Sequence, residues 1–207
     1  MATIQIAAEV QPHVRLESLH FASVRVAPRL GRLSLDLEEA ADQARRRFQG
    51  LELSSVAAIR DVRALYHATG TDPTKRRPSS EALLRRALQG KPMPVINSLV
   101  DCINFFSLAE LVPVGLYDEA RIQGAIRCRL GRADEPYEAI GREAFGVAGR
   151  MILADDRGPF GSPTSDSTRT MVTLETARAL AVIFWPASRS DGSSKLLRDL
   201  VGRYCSS

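Results

Sequence analysis

The stretch PVINSLVDCINFFSLAELVPVGLYD, residues 94–118, changes character part-way along. From Val95 to Leu111 it is apolar over a length that suits a helix and exceeds a typical buried strand. From Val112 the texture becomes β-like, VPVGLY being short and rich in branched and aromatic residues. Helices dominate on the N-terminal side of this switch and strands on the C-terminal side. That order predicts an α+β fold rather than alternating βαβ units.

Towards the N-terminus, SSEALLRRALQG (79–90) reads as a short helix with Ser79 or Ser80 as cap, Glu81 in the first turn, Arg85 and Arg86 late, and Gly90 as terminator. SSVAAIRDVRALYHATG (54–70) puts Val56, Ile59, Val62, Arg63 and Tyr66 at helical spacing, with Gly70 placed to end it. DLEEAADQARRRFQ (36–49) has the acidic start and basic end that suit a helix macrodipole. TIQIAAEV (3–10) and HFASVRV (20–26) read as β-rich. Towards the C-terminus, RIQGAIRCRL, GRMILAD, TMVTLET and ALAVIFW read as strands, and SSKLLRDLVGRY (193–204) as a last helix capped by Ser193 or Ser194. The expected sheets are mixed or antiparallel, with helices packed on them, and no GxGxxG loop is present.

With 207 residues, 44% of them hydrophobic, the chain can bury a sizeable core. It has no run of about 18 apolar residues and no basic-then-apolar leader, so the expectation is a cytoplasmic protein without a membrane partner. Cys102, Cys128 and Cys205 stand singly, and His13, His20 and His67 are scattered, which argues against a disulfide framework and against a metal site. The net charge of +4 is modest, but Arg45, Arg46 and Arg47, then Lys75, Arg76 and Arg77, then Arg85, Arg86 and Lys91 form basic clusters. These suit either a polyanion such as RNA or solvated helix faces.

Within the apolar helix, Asn97, Asp101 and Asn104 fall at i, i+4 and i+7 and line one face. Polar groups so close to apolar surface need partners. Either they brace neighbouring backbone or they look into a polar pocket. The loop SPTSDSTRT (162–170) poses the same choice, between a turn in water and the lip of a site.

The strings RPSSEALLRRALQGKPMPVINSLVDCINFFSLAELVPVGLYD, EPYEAIGR and ADDRGPFGSPTSDSTRTMVTLETARALAVIFWP, in this order, resemble the free-standing relatives of the B3/B4 domain of bacterial phenylalanyl-tRNA synthetase β chain. The resemblance is clearest over 60–186. It implies a single domain over 1–207, with 1–59 as its N-terminal strand and helix section and 193–204 as its closing helix. It also implies an editing activity in translation quality control: hydrolysis, in trans, of the ester of a mischarged aminoacyl-tRNA, without a cofactor. The partners implied are aminoacyl-tRNA and a synthetase. The alternative is a non-catalytic module that binds tRNA, a synthetase or an amino acid.

The resemblance also assigns residues. Asn97, Asp101 and Asn104 stand where the synthetase helix has Asn, Asp and Asn. The PVGLYD turn, with Tyr117, stands where the synthetase has a histidine in place of Gly115. SPTSDSTRT stands against a loop with an editing glutamate, for which Asp166 is the counterpart. On this reading Asp166 orients the attacking water or grips the α-ammonium group, and Ser162, Thr164, Ser165 and Thr168 line the pocket or donate hydrogen bonds. Asn97 holds the amino acid or ribose, while Arg169 contacts phosphate or locks Asp166. Arg76, Arg77, Arg85, Arg86 and Lys91 contact the phosphates of the tRNA body, the alternative being that an arginine preceding SSEALL braces the pocket helix. An Asn, Ser and Thr lining suits a small polar amino acid.

Overall fold

The computed structural model describes residues 3–206, the side chains of residues 142 and 143 excepted. The segment ALAVIFW explains the architecture. It forms a strand, Ala179–Pro186, whose residues are all buried, so it must have neighbours on both faces. Ala179, Ala181, Ile183 and Trp185 face one apolar cluster, and Leu180, Val182 and Phe184 face another. This alternation makes the strand the middle of a layered core.

Numbered in chain order, the strands are β1 (Gln5–Ile6), β2 (Val14–Phe21), β3 (Val114–Asp118), β4 (Arg127–Leu130), β5 (Tyr137–Ala139), β6 (Arg142–Phe145), β7 (Met151–Asp155), β8 (Gly158–Gly161) and β9 (Ala179–Pro186). The helices are α1 (Gly31–Phe48), α2 (Ala57–Ala68), α3 (Ser79–Leu88), α4 (Ser98–Glu110) and α5 (Lys195–Tyr204). An antiparallel sheet of order β2-β9-β3 lies between α4 and α5 on one side and a second sheet, β1-β4-β7-β8, on the other. β1 joins β4 in parallel, the remaining pairs are antiparallel, and β5 and β6 form a separate hairpin. The α+β class with mixed and antiparallel sheets is therefore the observed one. A further apolar cluster joins α1, α2, α3 and α4 through Leu37, Phe48, Ile59, Leu84 and Leu108. Among the described residues no helix is long and apolar enough to cross a membrane.

Several local expectations are corrected. TMVTLET is not a strand: Thr168–Thr170 is a 3-10 turn, and Thr173 and Thr176 turn their hydroxyls onto nearby backbone N–H groups. Such local bonds compete with sheet pairing. α1 starts a turn earlier than the acidic run, so its first turn holds no acid, although Arg45, Arg46 and Arg47 do occupy its last turn. α3 begins after Pro78 without a side-chain cap, and α5 likewise has none at Ser194, whose hydroxyl bonds Glu17 instead. β2 stops at Phe21, so the HFASVRV segment is mostly irregular.

Candidate functional site

The SPTSDSTRT loop is fastened on several sides. Ser162 Oγ accepts the N–H groups of Thr164 and Ser165 at 3.2 and 3.0 Å and donates to the Ser165 carbonyl at 3.0 Å. From α2, the Tyr66 hydroxyl donates to the Pro163 carbonyl at 2.6 Å, and from β5 the Tyr137 hydroxyl donates to the Ser165 carbonyl at 2.5 Å. The Ile140 N–H donates to the Asp166 carbonyl at 3.0 Å, and the Ser167 N–H to the Phe160 carbonyl at 2.8 Å. A turn in water does not carry this many long-range bonds. The loop is a wall.

What it walls in is the Asp166 carboxylate. β3 is an edge strand, and Asp166 Oδ2 accepts its outward Leu116 N–H at 3.2 Å, closing part of an edge that would otherwise be open. Oδ1 is buried and has no hydrogen-bond partner among the described residues, and the same is true of the Tyr117 hydroxyl. The two groups act on each other. Burial pushes the Asp166 carboxyl up to about 7, against the opposing pull of the Tyr117 hydroxyl and the Leu116 N–H. Burial first, and then the Asp166 charge, raises Tyr117 well above the ordinary phenol range. A buried carboxyl shifted this way is a common mark of acid–base sites.

Two glycines make room for Tyr117. A Cβ on Gly115 would lie 2.0 Å from the Tyr117 hydroxyl oxygen, and one on Gly161 would lie 2.2 Å from it. The ring is held edge-on to Phe160 at 4.9 Å between centroids, so it cannot easily withdraw. Gly115→Ala is therefore expected to destabilise by about 1–3 kcal/mol, read as a lower urea midpoint at unchanged slope. An unaltered midpoint would mean that the ring is loosely held. Tyr117→Phe removes the hydroxyl that opposes the rise of the Asp166 carboxyl and is expected to push that carboxyl higher still, read as a shift of its titration to higher pH.

The remaining sequence-derived residues separate. Asn97 is not within α4 but is its cap, with Oδ1 accepting the Val100 N–H at 3.0 Å. Asp101 Oδ1 accepts the Ile96 N–H at 3.0 Å, its Oδ2 is buried without a partner, and burial raises its carboxyl above the usual range. Among the described residues no hydrogen bond or ion pair joins Asn97, Asp101 or Asn104 to the 162–170 loop. Asn104 instead lines a cleft with Arg77, Arg85, Arg86 and Lys91. Arg169 does not lock Asp166. It forms a fork on Asp155, 2.9 Å from each carboxylate oxygen, and that carboxylate also accepts the N–H groups of Gln123 and Arg157. The Thr168 hydroxyl donates to the Glu138 carbonyl at 3.3 Å, and Thr164 adjoins the Tyr66 hydroxyl. The Ser165 hydroxyl makes no hydrogen bond among the described residues and remains available as a donor.

Sequence reasoning missed Tyr66 and Tyr137 as site residues. Tyr66 sits in the apolar pattern of a helix and Tyr137 in the mixed segment EPYEAIGR, and neither context reveals its hydroxyl's long-range partner. Burial raises the Tyr137 hydroxyl above the ordinary phenol range, and Arg76, placed over the Phe145 ring 4.8 Å from its centroid, opposes that rise only slightly. Among the described residues no group of three or more His, Cys, Asp or Glu side chains is arranged to hold a metal ion.

The family described as B3/4 domain matches residues 61–198. The phenylalanine–tRNA ligase β subunit of Streptomyces avermitilis is 37% identical over 94 residues, covering 45% of this chain and 11% of that one. Its counterpart in Paramagnetospirillum magneticum is 34% identical over 65 residues, covering 31% and 8%. Among solved structures, an N-terminal fragment of the phenylalanyl-tRNA synthetase β-subunit from Pyrococcus horikoshii aligns at a TM-score of 0.43 and 15% identity, over 52% of this chain and 40% of that one. The chain thus spans about a tenth of the length of these curated relatives.

Proposed function

The chain belongs to the B3/4 domain family, and from that membership and the geometry around Asp166 we propose that it hydrolyses, in trans, the ester of a mischarged aminoacyl-tRNA. The buried, unpartnered Oδ1 of Asp166 carries this reading. It belongs to a carboxylate held in place by a bond on its other oxygen and set beside the Tyr117 hydroxyl without a well-formed hydrogen bond, in a wall that is itself pinned by two tyrosines. Preorganisation of this kind is what a water-activating group requires.

The step needs no protein nucleophile, because an ester is already activated. Asp166 accepts a proton from a water as that water's oxygen attacks the ester carbonyl. Negative charge develops on the carbonyl oxygen, and the Ser165 hydroxyl is the loop donor free to stabilise it. Collapse of the tetrahedral intermediate breaks the bond to the ribose oxygen, which takes up the proton. The products are a free amino acid and tRNA with its terminal hydroxyl restored. With the carboxyl near 7, Asp166 is a competent base at neutral pH. The rate is expected to rise through about pH 7 and level off above it.

A panel of radiolabelled aminoacyl-tRNAs, correctly and incorrectly paired, tests the reading. Selective release from some mismatched pairs, following that pH profile, is the expected result. A folded protein that releases no amino acid above buffer from any pair would replace it with the non-catalytic binding module.

A further inference from the structure

The arginines of the α3 cleft share one feature. Arg85 is tethered through Nε to Glu81 Oε1 at 2.8 Å, and Arg77 through Nε to the same oxygen at 3.7 Å. Arg86 is tethered through Nε to the Pro92 carbonyl at 2.5 Å. In each case no hydrogen bond to the terminal nitrogens is found among the described residues; the Arg85 and Arg86 forks are oriented by their Nε bonds, and Arg77 is drawn to the same carboxylate as Arg85 by charge alone. The arginines with structural duties differ: Arg63, Arg129 and Arg169 place terminal nitrogens on carboxylates. Lys91 adds a fourth cation, on a segment held by the Met93 N–H bonding to Glu38 at 2.6 Å.

These four cations line a cleft of about 550 Å³ whose walls hold no carboxylate; Ser79, Gln89 and Asn104 add neutral donors. Glu81 lies beneath, 2% exposed, and shares its charge among Arg63, Arg77 and Arg85, which leaves positive charge in excess. Arg77 and Arg85 converge on Glu81 Oε1, whereas Arg86 is turned to the Pro92 carbonyl and Lys91 follows α3, so the cations fall at more than one place along the cleft, as contact with more than one phosphate requires. Oriented arginine forks suit phosphate oxygens, which they meet with two parallel bonds. Adjacent residues connect the cleft to the candidate site, since Arg77 lines the cleft while Arg76 lies over Phe145 and acts on Tyr137, which pins the Asp166 loop.

We propose that the cleft between α3, the 91–94 segment and α4 holds successive phosphates of the RNA strand whose aminoacylated end enters the Asp166 site. This rests on the tRNA ester reading above and adds where the strand lies. It moves Asn104 from the substrate pocket to the RNA track.

Binding of uncharged tRNA, followed by fluorescence anisotropy across a salt series, tests it without any turnover. The double variant Arg86→Gln, Lys91→Gln is expected to bind several-fold more weakly and to lower the slope of log affinity against log salt by about one to two. Arg198→Gln, an exposed cation on α5, is expected to leave the slope unchanged. An unchanged slope in the double variant, or an equal loss in Arg198→Gln, would overturn the cleft. Hydrolysis of an aminoacyl ester of adenosine by the wild type reads the Asp166 site alone. Ester hydrolysis with no effect of the double variant on tRNA binding sinks the cleft and keeps the hydrolase. The cleft effect without hydrolysis of that ester or of any charged tRNA does the reverse.

Discussion

Replacing Asp166 by Asn is expected to lower single-turnover deacylation by at least about 100-fold, the low end for loss of a general base, while raising the melting temperature above pH 7. The first effect follows because the amide cannot take a proton from water. The second follows from burial. In the folded chain the carboxyl keeps its proton up to about pH 7, whereas in the unfolded chain it ionises near 3.9. Between those values only the unfolded state gains from ionisation, so the wild type loses stability as pH climbs from about 4 to about 7. The amide does not titrate and is spared that loss. Glu81 and Asp155, whose carboxyls arginines hold below the usual range, act in the opposite sense at acid pH, but equally in both proteins. The gap in melting temperature between variant and wild type should therefore open between pH 5 and 8. An equal gap at both pH values would mean a solvated carboxyl, and full activity in the variant would remove Asp166 from the chemistry.

How much of this was legible depended on where each residue's partner lies. ALAVIFW was readable as a strand because burial on both faces leaves a continuous apolar run. TMVTLET has nearly the same β-forming composition, but the hydroxyls of Thr173 and Thr176 find backbone partners within three residues, which composition does not reveal. The i, i+4, i+7 spacing of Asn97, Asp101 and Asn104 is real, yet the helix starts at Ser98, so one residue became a cap, one a brace and one a cleft wall. Asp166 came from a family resemblance and from the polar character of its loop. The groups that make the loop a wall were out of reach of local pattern: Tyr66 bonds a carbonyl 97 residues away. Arg169 followed the same logic, pairing with Asp155 rather than with the nearer Asp166. The basic clusters were legible as charge, but not the tethering through Nε that orients them.

The largest stability effect is expected at Glu81. Its carboxylate takes two bonds from Arg63, at 2.8 and 2.7 Å, and one from Arg85 at 2.8 Å, with Arg77 at 3.7 Å. Removing one member of a buried pair costs about 3–5 kcal/mol, because the partner is left charged without compensation. Here the guanidinium groups are 29% and 38% exposed for Arg63 and Arg85 and can recover hydration. Glu81→Ala is therefore expected to cost about 2–4 kcal/mol, measured by urea unfolding near pH 7. Burial opposes ionisation of Glu81, but the bonds and charges of Arg63 and Arg85 outweigh it and hold the carboxyl below its usual range. Its stabilisation is thus full above the unfolded value of about 4.3 and is lost as pH falls through the lower folded value. The deficit of the variant should shrink below about pH 4. Because Glu81 also orients Arg85 and draws in Arg77, the variant separates two ways in which the cleft could hold RNA. If bare charge dominates, deleting a carboxylate tightens tRNA binding; if orientation dominates, binding weakens although the surface has become more positive. The Nε tethers favour weaker binding, measured at a temperature where both proteins are folded.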